Sequence, residues 1–519
     1  MVLDFIIKKR KLKELTNLIR ARRNLERTNK AHLINSIFKQ LMNKPSYPDF
    51  SFGGVEISSI QIKQYTLQKL FNATATNSLI QCIADKKVGQ IFPFPKNLRK
   101  QLELNQIKIK KLHSEIFWRF KCLTHLGFSL IKIIKIYKFN NADIFKKRVS
   151  LDLYVHGVGK ETIQISQNAE QLDNVLSFFK KRNKTNKIMV YTLGKKNIDL
   201  KTDACVVESP FFGYSLLEKL HIFSFFCILL FRSLWDLIFG SGYFAFMSHE
   251  ILLKKLALTI NNKYLAKEYV FSQSSISYFP AWLDALSERG SLVTLFFYSN
   301  NIMPWQKKGL KKEWHYIYNL LTWPNYLVMD KTFGKEIKKI ALNSPQIEIS
   351  EPISLMDNND NKLEFSEYIA IFDITPVRLA ALSNYGIFSV IYDDEFSERF
   401  FKTIVSAASE INQPLVVKQK RSKTVPTTKR YRSLINSLSN NPKIKFLHPD
   451  TSAKRVILNC KASISMPFSS TGVVAKSFYK PAIYFDPSGD FAKNQVASLK
   501  VDIISEKQKL ISWIKSINH

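Results

Sequence analysis

The chain has 519 residues, 45% hydrophobic and 23% charged, a globular balance that excludes wholesale disorder. Lys and Arg number 77 against 42 Asp and Glu; the formal net charge of +35 points to polyanionic partners such as nucleic acid, an anionic membrane surface or phosphorylated ligands. The five cysteines are odd in number, widely spaced and without a CxxC pair, which argues against a disulfide scaffold or a structural zinc and for a reducing, cytoplasmic setting.

At the N-terminus a short apolar stretch precedes the basic residues instead of following them, so it does not read as a secretory signal. Between Lys8 and Lys30 stand ten Lys or Arg and two Glu, a basic helix that is either solvated or laid on anionic lipid. Residues 1–145 read as a helical, basic extension. From about Val149 short apolar runs alternate with helical ones. Strands are expected at Leu151–His156, Lys187–Leu193 and Ala204–Glu208, then at Glu268–Ser272, Leu292–Tyr298 and Tyr326–Met329. A helix over Pro280–Arg289 is stopped by Gly290. This alternation predicts parallel sheets with crossover helices, a first Rossmann-like domain over 146–345. The most apolar stretch, His221–Met247, is interrupted by Arg232, Asp236 and two glycines. It falls short of a spanning helix and reads as a buried core helix or one lying in the bilayer interface.

Residues 343–364, with two prolines and several Asn and Asp, read as a linker. A second Rossmann-like domain is expected over 365–500 and a C-terminal helix over 501–519. Its strands are expected at Tyr368–Phe372, Pro414–Val417, Ile444–Leu447 and Ala462–Met466. Each is followed by polar residues: Asp373; Lys418, Lys420 and Arg421; His448; and Ser469, Ser470 and Thr471 after Pro467. In open α/β sheets ligands bind outside the carboxyl ends of the strands, so these groups should share one edge. Hydroxyls at a helix start cap its free N–H groups, and those N–H groups and the helix dipole also bind phosphate. The stretch has no GxxxxGK[ST] and is not an ATPase-type P-loop. His448, before a proline, suits donation to a phosphate or general acid work. Asp373 joins it as a catalytic candidate. Lys418, Lys420 and Arg421 suit a diphosphate. Lys418–Arg432 holds seven Lys or Arg and no acid, but no helix-turn-helix, zinc-finger or RNA-recognition pattern accompanies it, so nucleic acid is not the expected partner. Gln273, Ser274 and Ser275 follow a first-half strand and are candidates for acceptor hydroxyls. Asp284 and Asp393-Asp394-Glu395 read as helix-surface and first-turn charges.

From about Phe271 to Pro487 the chain resembles the bacterial polysaccharide-biosynthesis proteins named for a Pro-Phe-Thr-Ser motif. The motif here is Pro467-Phe468-Ser469-Ser470, with Ser469 in place of the family Thr. FSQSS at 271–275, FDITP at 372–376, VKQKR at 417–421 and IYFDP at 483–487 extend the resemblance. It implies an α/β, GT-B-like fold: two Rossmann-type domains facing a cleft, the donor nucleotide mainly on the second. The implied activity is glycosyl transfer from a nucleotide sugar to a carbohydrate or lipid-linked acceptor in the synthesis of a surface polysaccharide. The His-Pro and downstream Ser-Ser are similar to those of CMP-sugar-using GT-B enzymes, which would put His448, Ser469 and Ser470 on the donor phosphate. No DxD metal motif is present, in keeping with a metal-independent enzyme that needs no cofactor. A polyol-phosphate transferase of the CDP-glycerol type shares the plan, and a basic membrane or nucleic-acid scaffold is the non-enzymatic alternative. The expected location is cytoplasmic, at the inner face of the membrane where the basic excess and the apolar stretch allow.

Overall fold

The computed structural model describes residues 32–71, 73–84, 89–138, 151–158, 174–184, 188–192, 205–207, 210–211, 213–272, 278–297, 299, 303–309, 314, 318–350, 366–376, 391, 393–419, 427–449 and 451–518, together with Ala21 and Leu25. The front of the chain is helical, with helices His32–Asn43, Ser59–Leu70, Ala73–Ala84, Lys96–Leu104 and Lys111–Lys138. One small hairpin, β1 (Phe50–Phe52) with β2 (Val55–Ile57), interrupts them.

The first sheet contains β3 (Leu151–Val158), β4 (Ile188–Thr192), β5 (Cys205–Val207), β6 (Ala266–Ser272), β7 (Leu292–Phe296), β8 (Asn325–Val328) and β9 (Gln346–Ile349). They lie in the order β5-β4-β3-β6-β7-β8-β9, all parallel. The second sheet contains β10 (Ile369–Phe372), β11 (Leu415–Lys418), β12 (Ile444–Leu447), β13 (Ala462–Ser465), β14 (Ala482–Phe485) and β15 (Asp502–Ile504). Its order is β12-β11-β10-β13-β14-β15, again all parallel. Both orders start in the middle, grow to one side and then jump back to grow to the other, the doubly wound Rossmann scheme. β10, β13 and β14 are buried at every position. Strands covered on both faces are made mostly of apolar and small residues, which is why β10 and β14 stand out as short apolar runs and β13, Ala-Ser-Ile-Ser, joins them with two buried serines.

Two segments lie outside the boundaries expected from sequence. Gln346–Ile349, inside the stretch read as linker, pairs with β8 as the seventh strand of the first sheet. Asp502–Ile504, inside the stretch read as C-terminal helix, is the sixth strand of the second sheet, and the helix itself is Lys507–Asn518.

The loops at the carboxyl ends of the two sheets touch each other. The connection that leaves β7 carries a strap at 305–308, which lies against the loop that leaves β14. Lys308 N donates to Asp490 O at 2.8 Å, Ala492 N to Gln306 O at 2.9 Å, and Gln306 N to Gln495 Oε1 at 2.6 Å. The Trp305 ring stacks on Phe468 at 6.2 Å between centroids and meets Phe491 edge-on at 5.2 Å. Buried apolar residues of the two domains form one continuous core, and Trp305 packs against it.

The apolar region is a helical elbow. Helix Leu216–Phe239 starts in a capping box, with Ser215 Oγ accepting from Glu218 N and Glu218 Oε2 accepting from Ser215 N at 2.6 Å. Gly242 turns the chain at φ +80 into helix Tyr243–Thr259. A Cβ there would stand 2.9 Å from Trp118 Nε1, so the close approach of helix Lys111–Lys138 depends on this glycine. Asp236 Oδ2 caps the new helix by accepting from Phe244 N at 2.9 Å and Ala245 N at 3.2 Å.

A polar network fastens helix Asn174–Asn183 to the first sheet. Arg182 bonds Glu268 at 2.7 Å and Glu348 at 2.6 Å, and Thr294 Oγ1 donates to Glu268 at 2.7 Å. Arg182→Ala leaves the buried Glu268 carboxylate short of its cation and should cost on the order of 3 kcal/mol, read as a lower urea midpoint with an unchanged m-value.

Three histidines are kept neutral, chiefly by burial: His125 is lowered to about 3, and His156 and His249 each to about 4. The folded state therefore binds these protons less readily than the unfolded chain does. Their stabilising contribution is present above about pH 6.5 and is lost as the pH falls towards 4. Each should add ~1.4 kcal/mol per pH unit to the decline across that window. Melting curves between pH 7.5 and 4.5 check this, and His125→Gln should flatten the decline.

Candidate functional site

Strand register sets the candidate site. Phe372 at the end of β10 is paired with Lys418 of β11 and Ser465 of β13. Lys418 pairs with Leu447 of β12, and Ser465 with Tyr484 of β14. The residues that follow, His448, Gln419, Asp373 and Met466, therefore line one edge of the sheet, as the sequence led one to expect. The order reverses between β10 and β13, and the loops leaving these two strands diverge there into a crevice.

The Pro467-Phe468-Ser469-Ser470 loop sits at that crevice and is tied to β10. Met466 N donates to Phe372 O at 3.0 Å, and Ile374 N donates to Met466 Sδ at 3.1 Å. Pro467 and Phe468 are buried. Phe468 is held at φ +62, a left-handed conformation costing on the order of 1–2 kcal/mol for a residue with a Cβ. Trp305, Phe491 and Tyr484 surround its ring. The turn delivers Ser469 as N-cap of helix Ser470–Ser477.

Ser469 makes no side-chain capping bond. Its hydroxyl lies 2.9 Å from Thr471 Oγ1, which lies 2.9 Å from Ser465 Oγ. The helix thus begins with first-turn N–H groups that Ser469 does not cap, beside a chain of hydroxyls. Uncapped N–H groups at a helix start are donors for an anion. Tyr484 OH donates to Ser469 O at 2.7 Å and fixes the turn from below. Gly472 makes room for that ring, because a Cβ there would stand 2.6 Å from Tyr484 Cε1.

Asp373 is 4% exposed. Its Oδ2 accepts a bond from the Tyr431 hydroxyl, which also accepts from Gln419 Nε2 at 3.2 Å. Burial first, and the charge of Asp373 second, push the Tyr431 hydroxyl well above the usual phenol range, so it remains a donor. Lys418 is half-buried at the end of β11, and Lys420 and Arg421 lie outside the described residues. His448 is exposed, and its carbonyl accepts from Thr451 N at 2.9 Å. β12 and β13 are three strand spacings apart, about 14 Å. His448 and Ser469 therefore occupy the two sides of the edge, and a ligand touching both lies across the ends of β11 and β10. Tyr431, Gln419, Tyr484 and Trp305 were not singled out from sequence. Tyr431 lies 58 positions from Asp373, and no local pattern links them.

The family model described as "Polysaccharide biosynthesis PFTS motif protein" matches residues 233–514. The chain belongs to this family. No curated protein matches it. Among solved structures it is similar to the UDP-GlcNAc 2-epimerase of Methanocaldococcus jannaschii, with 10% identity over 70% of this chain and 92% of that one at a TM-score of 0.37. A glycosyltransferase from Rickettsia africae is 13% identical over 71% of this chain and 88% of that one, TM-score 0.35. A UDP-forming trehalose-phosphate synthase from Burkholderia xenovorans is 8% identical over 71% and 91%, TM-score 0.35. These likenesses are too distant to assign a residue or a reaction.

On the first sheet of this PFTS-motif protein the corresponding switch point lies between β3 and β6. β6 ends at Ser272, and Gln273, Ser274 and Ser275, which follow it, lie outside the described residues. Where the chain is next described, Tyr278 OH donates to the buried Glu250 Oε1 at 2.9 Å, and Ala281 N to Glu250 Oε2 at 3.2 Å. Burial raises the Glu250 pKa above the usual carboxylate range. Asp284 is structural: it accepts from Lys254 at 2.9 Å and Gln61 at 3.3 Å, joining the N-terminal helices to the first domain. Asp393 caps helix Asp394–Glu410 through Glu395 N at 3.1 Å. A polar cavity lined by Asp152, Arg182, Lys267 and Glu268 lies at the amino ends of β3, β6 and β7, away from the switch points. Among the described residues no three His, Cys, Asp or Glu side chains converge as metal ligands would.

Gly472→Ala should drive Tyr484 off the Ser469 carbonyl and loosen the PFTS-motif turn. A loss of about 1–3 kcal/mol is expected. Denaturant unfolding beside a Tyr484→Phe control, which loses the bond without the clash, measures it.

Proposed function

We propose that this protein is a cytoplasmic glycosyltransferase that moves a sugar from a nucleotide donor to a carbohydrate acceptor in polysaccharide biosynthesis. The observation that carries the reading is the PFTS-motif turn: a helix start without a capping side chain, flanked by Ser469, Ser470 and Thr471, at the switch point of a Rossmann-ordered sheet. Such a start is a phosphate site in form. In this reading its N–H groups, Ser469 and Ser470 hold the phosphate of the donor, and Pro467 fixes the turn. Lys418, Lys420 and Arg421 offset the donor's negative charge. His448, on the far side of the edge, serves as the general acid for the leaving group of a donor that spans the ends of β11 and β10. A CMP-sugar is the donor favoured by the His-Pro and Ser-Ser pair.

Asp373 touches Tyr431 rather than the open edge, so we assign it as a positioning residue, which sets the first turn after β10 against Met466. The loop with Gln273, Ser274 and Ser275 lies at the end of β6 and would meet the acceptor. Basic side chains and helix N–H groups supply the positive field that a divalent cation would otherwise provide, so turnover should survive a chelator.

A thermal-shift titration with CMP, UDP, GDP, ADP and CDP-glycerol tests the donor site. One nucleotide should raise the melting point by mass action, and the shift should shrink in Ser470→Ala. Once a donor is known, His448→Ala should lower kcat by tenfold or more, since a charge-assisted bond is worth about 1.5–3 kcal/mol. Failure of every nucleotide to shift the wild type would sink the donor site, and a phosphodiester product would replace sugar transfer with polyol-phosphate transfer.

A further inference from the structure

Helix Leu216–Phe239 is apolar on nearly every side. One stripe, with Ile222, Phe225, Phe226, Leu229 and Ser233, is buried. The opposite stripe is open: Leu217 is 79% exposed, Phe231 70%, Ile238 67% and Trp235 51%. A helix apolar all round is normally enclosed by protein or by lipid. Here protein covers only one side.

Helix Lys111–Lys138 lies antiparallel beside it. Arg119 near its start donates to Leu237 O at 2.6 Å, and Tyr137 near its end donates to Lys219 O at 2.7 Å. Both helices pack their inner faces on helix Tyr243–Thr259. The outer face of Lys111–Lys138 repeats the pattern, with Leu112 69% exposed, Phe120 62% and Ile131 52%. Of the 27 large hydrophobic residues exposed among the described residues, 20 stand on these two helices. Scattered exposed apolar residues are ordinary, but a contiguous platform of this kind marks an interaction surface.

Charge selects the occupant. The two helices carry six and two Lys or Arg against one and two acids. All three acids are engaged inside the protein: Glu115 with Arg99 and Arg119, Glu218 in its capping box, and Asp236 on the next helix start. A second copy would bring an equally basic face from a chain of net charge +35. An anionic bilayer complements both the charge and the apolar surface. Length decides the mode. The stretch that reads from sequence as too interrupted to span contains a helix of 24 residues that is, by length and composition, long and apolar enough to span a bilayer, at about 36 Å. Yet its inner stripe is packed on the body, and its chain turns at Gly240 straight into helix Tyr243–Thr259. A helix packed on a folded domain along its length can enter a bilayer only sideways. Trp235 and Tyr137 suit the headgroup level.

We propose that the paired helices Lys111–Lys138 and Leu216–Phe239 form a membrane-docking platform that lies flat in the interface of an anionic bilayer. The platform does not depend on the identity of the donor or on sugar transfer.

Flotation of the full chain with phosphatidylcholine vesicles, with and without 30% phosphatidylglycerol as the probe, tests it. Two variants are compared with wild type: Phe231→Glu with Trp235→Glu, and Phe120→Glu with Ile131→Glu. All four positions are exposed, so both variants should keep the wild-type melting point and any nucleotide shift. Wild type should float with the anionic vesicles at low salt, and float less in neutral vesicles. At least tenfold less of each variant should float. Three results would overturn the proposal: wild type staying in the bottom fraction with anionic vesicles, both variants floating like wild type, or light scattering showing a wild-type dimer that the variants abolish with no vesicle binding.

Discussion

The hydrogen bond from Met466 N to Phe372 O joins the two strand ends that flank the switch point of the second sheet. β10 and β13 are neighbours in register, but their chains leave in opposite directions, to β11 and to β14. A crevice must open where they part, and this bond sets where it starts. The PFTS-motif turn then has a fixed origin, and Phe468, in a left-handed conformation, swings the chain so that Ser469 begins a helix facing the crevice. A strained residue persists only when its surroundings over-determine it. Here three rings do so, and one of them, Trp305, belongs to the other domain. One aromatic cluster therefore both holds the PFTS-motif turn and contributes to the contact between the two domains.

That coupling has a chemical use in the proposed reaction. A transferase that splits a nucleotide sugar must bring the acceptor domain to the donor phosphate and keep water out. A strap that leaves the carboxyl end of one sheet and pairs with the loop at the carboxyl end of the other holds both edges at short range. Asp486 steadies the receiving loop: it is fully buried and accepts from Ser488 N at 3.0 Å and Phe491 N at 3.1 Å. The IYFDP segment is thus the platform on which the strap lands.

What the sequence made legible follows from how each element is buried. β10 and β14 are apolar and buried at every position, and β3, β6 and β13 each contain buried apolar residues, so all five are visible as runs. β9, QIEI, has no fully buried residue and follows a proline, and it reads as linker. β15 is three residues long and begins with Asp502. The edge containing His448, Lys418, Asp373 and the PFTS motif was legible because chain position after a strand predicts place at the sheet edge. The Tyr431 bond that occupies Asp373 was not, since it joins distant segments through the tertiary fold. Trp305 sits in a loop without periodicity, and nothing local marks it. Helix Leu216–Phe239 was conspicuous as an apolar stretch, but which of its sides is open depends on the helices packed against it. Lys111–Lys138 was less conspicuous still, because its lysines alternate with its apolar residues and mask the outer face.

The elbow connects the two unusual parts of the molecule. Helix Leu216–Phe239 faces outward, while helix Tyr243–Thr259, directly after it, carries Glu250 inward to Tyr278 and Ala281. Those two residues follow the loop at the end of β6, where the proposed acceptor side begins. Glu250 is buried, which raises its pKa, and its bonds to Tyr278 and to the start of helix Ala281–Glu288 lie away from water. A surface resting on lipid would in this way be linked through helix Tyr243–Thr259 to the residues after β6. An acceptor carried on a lipid would then approach along the bilayer plane.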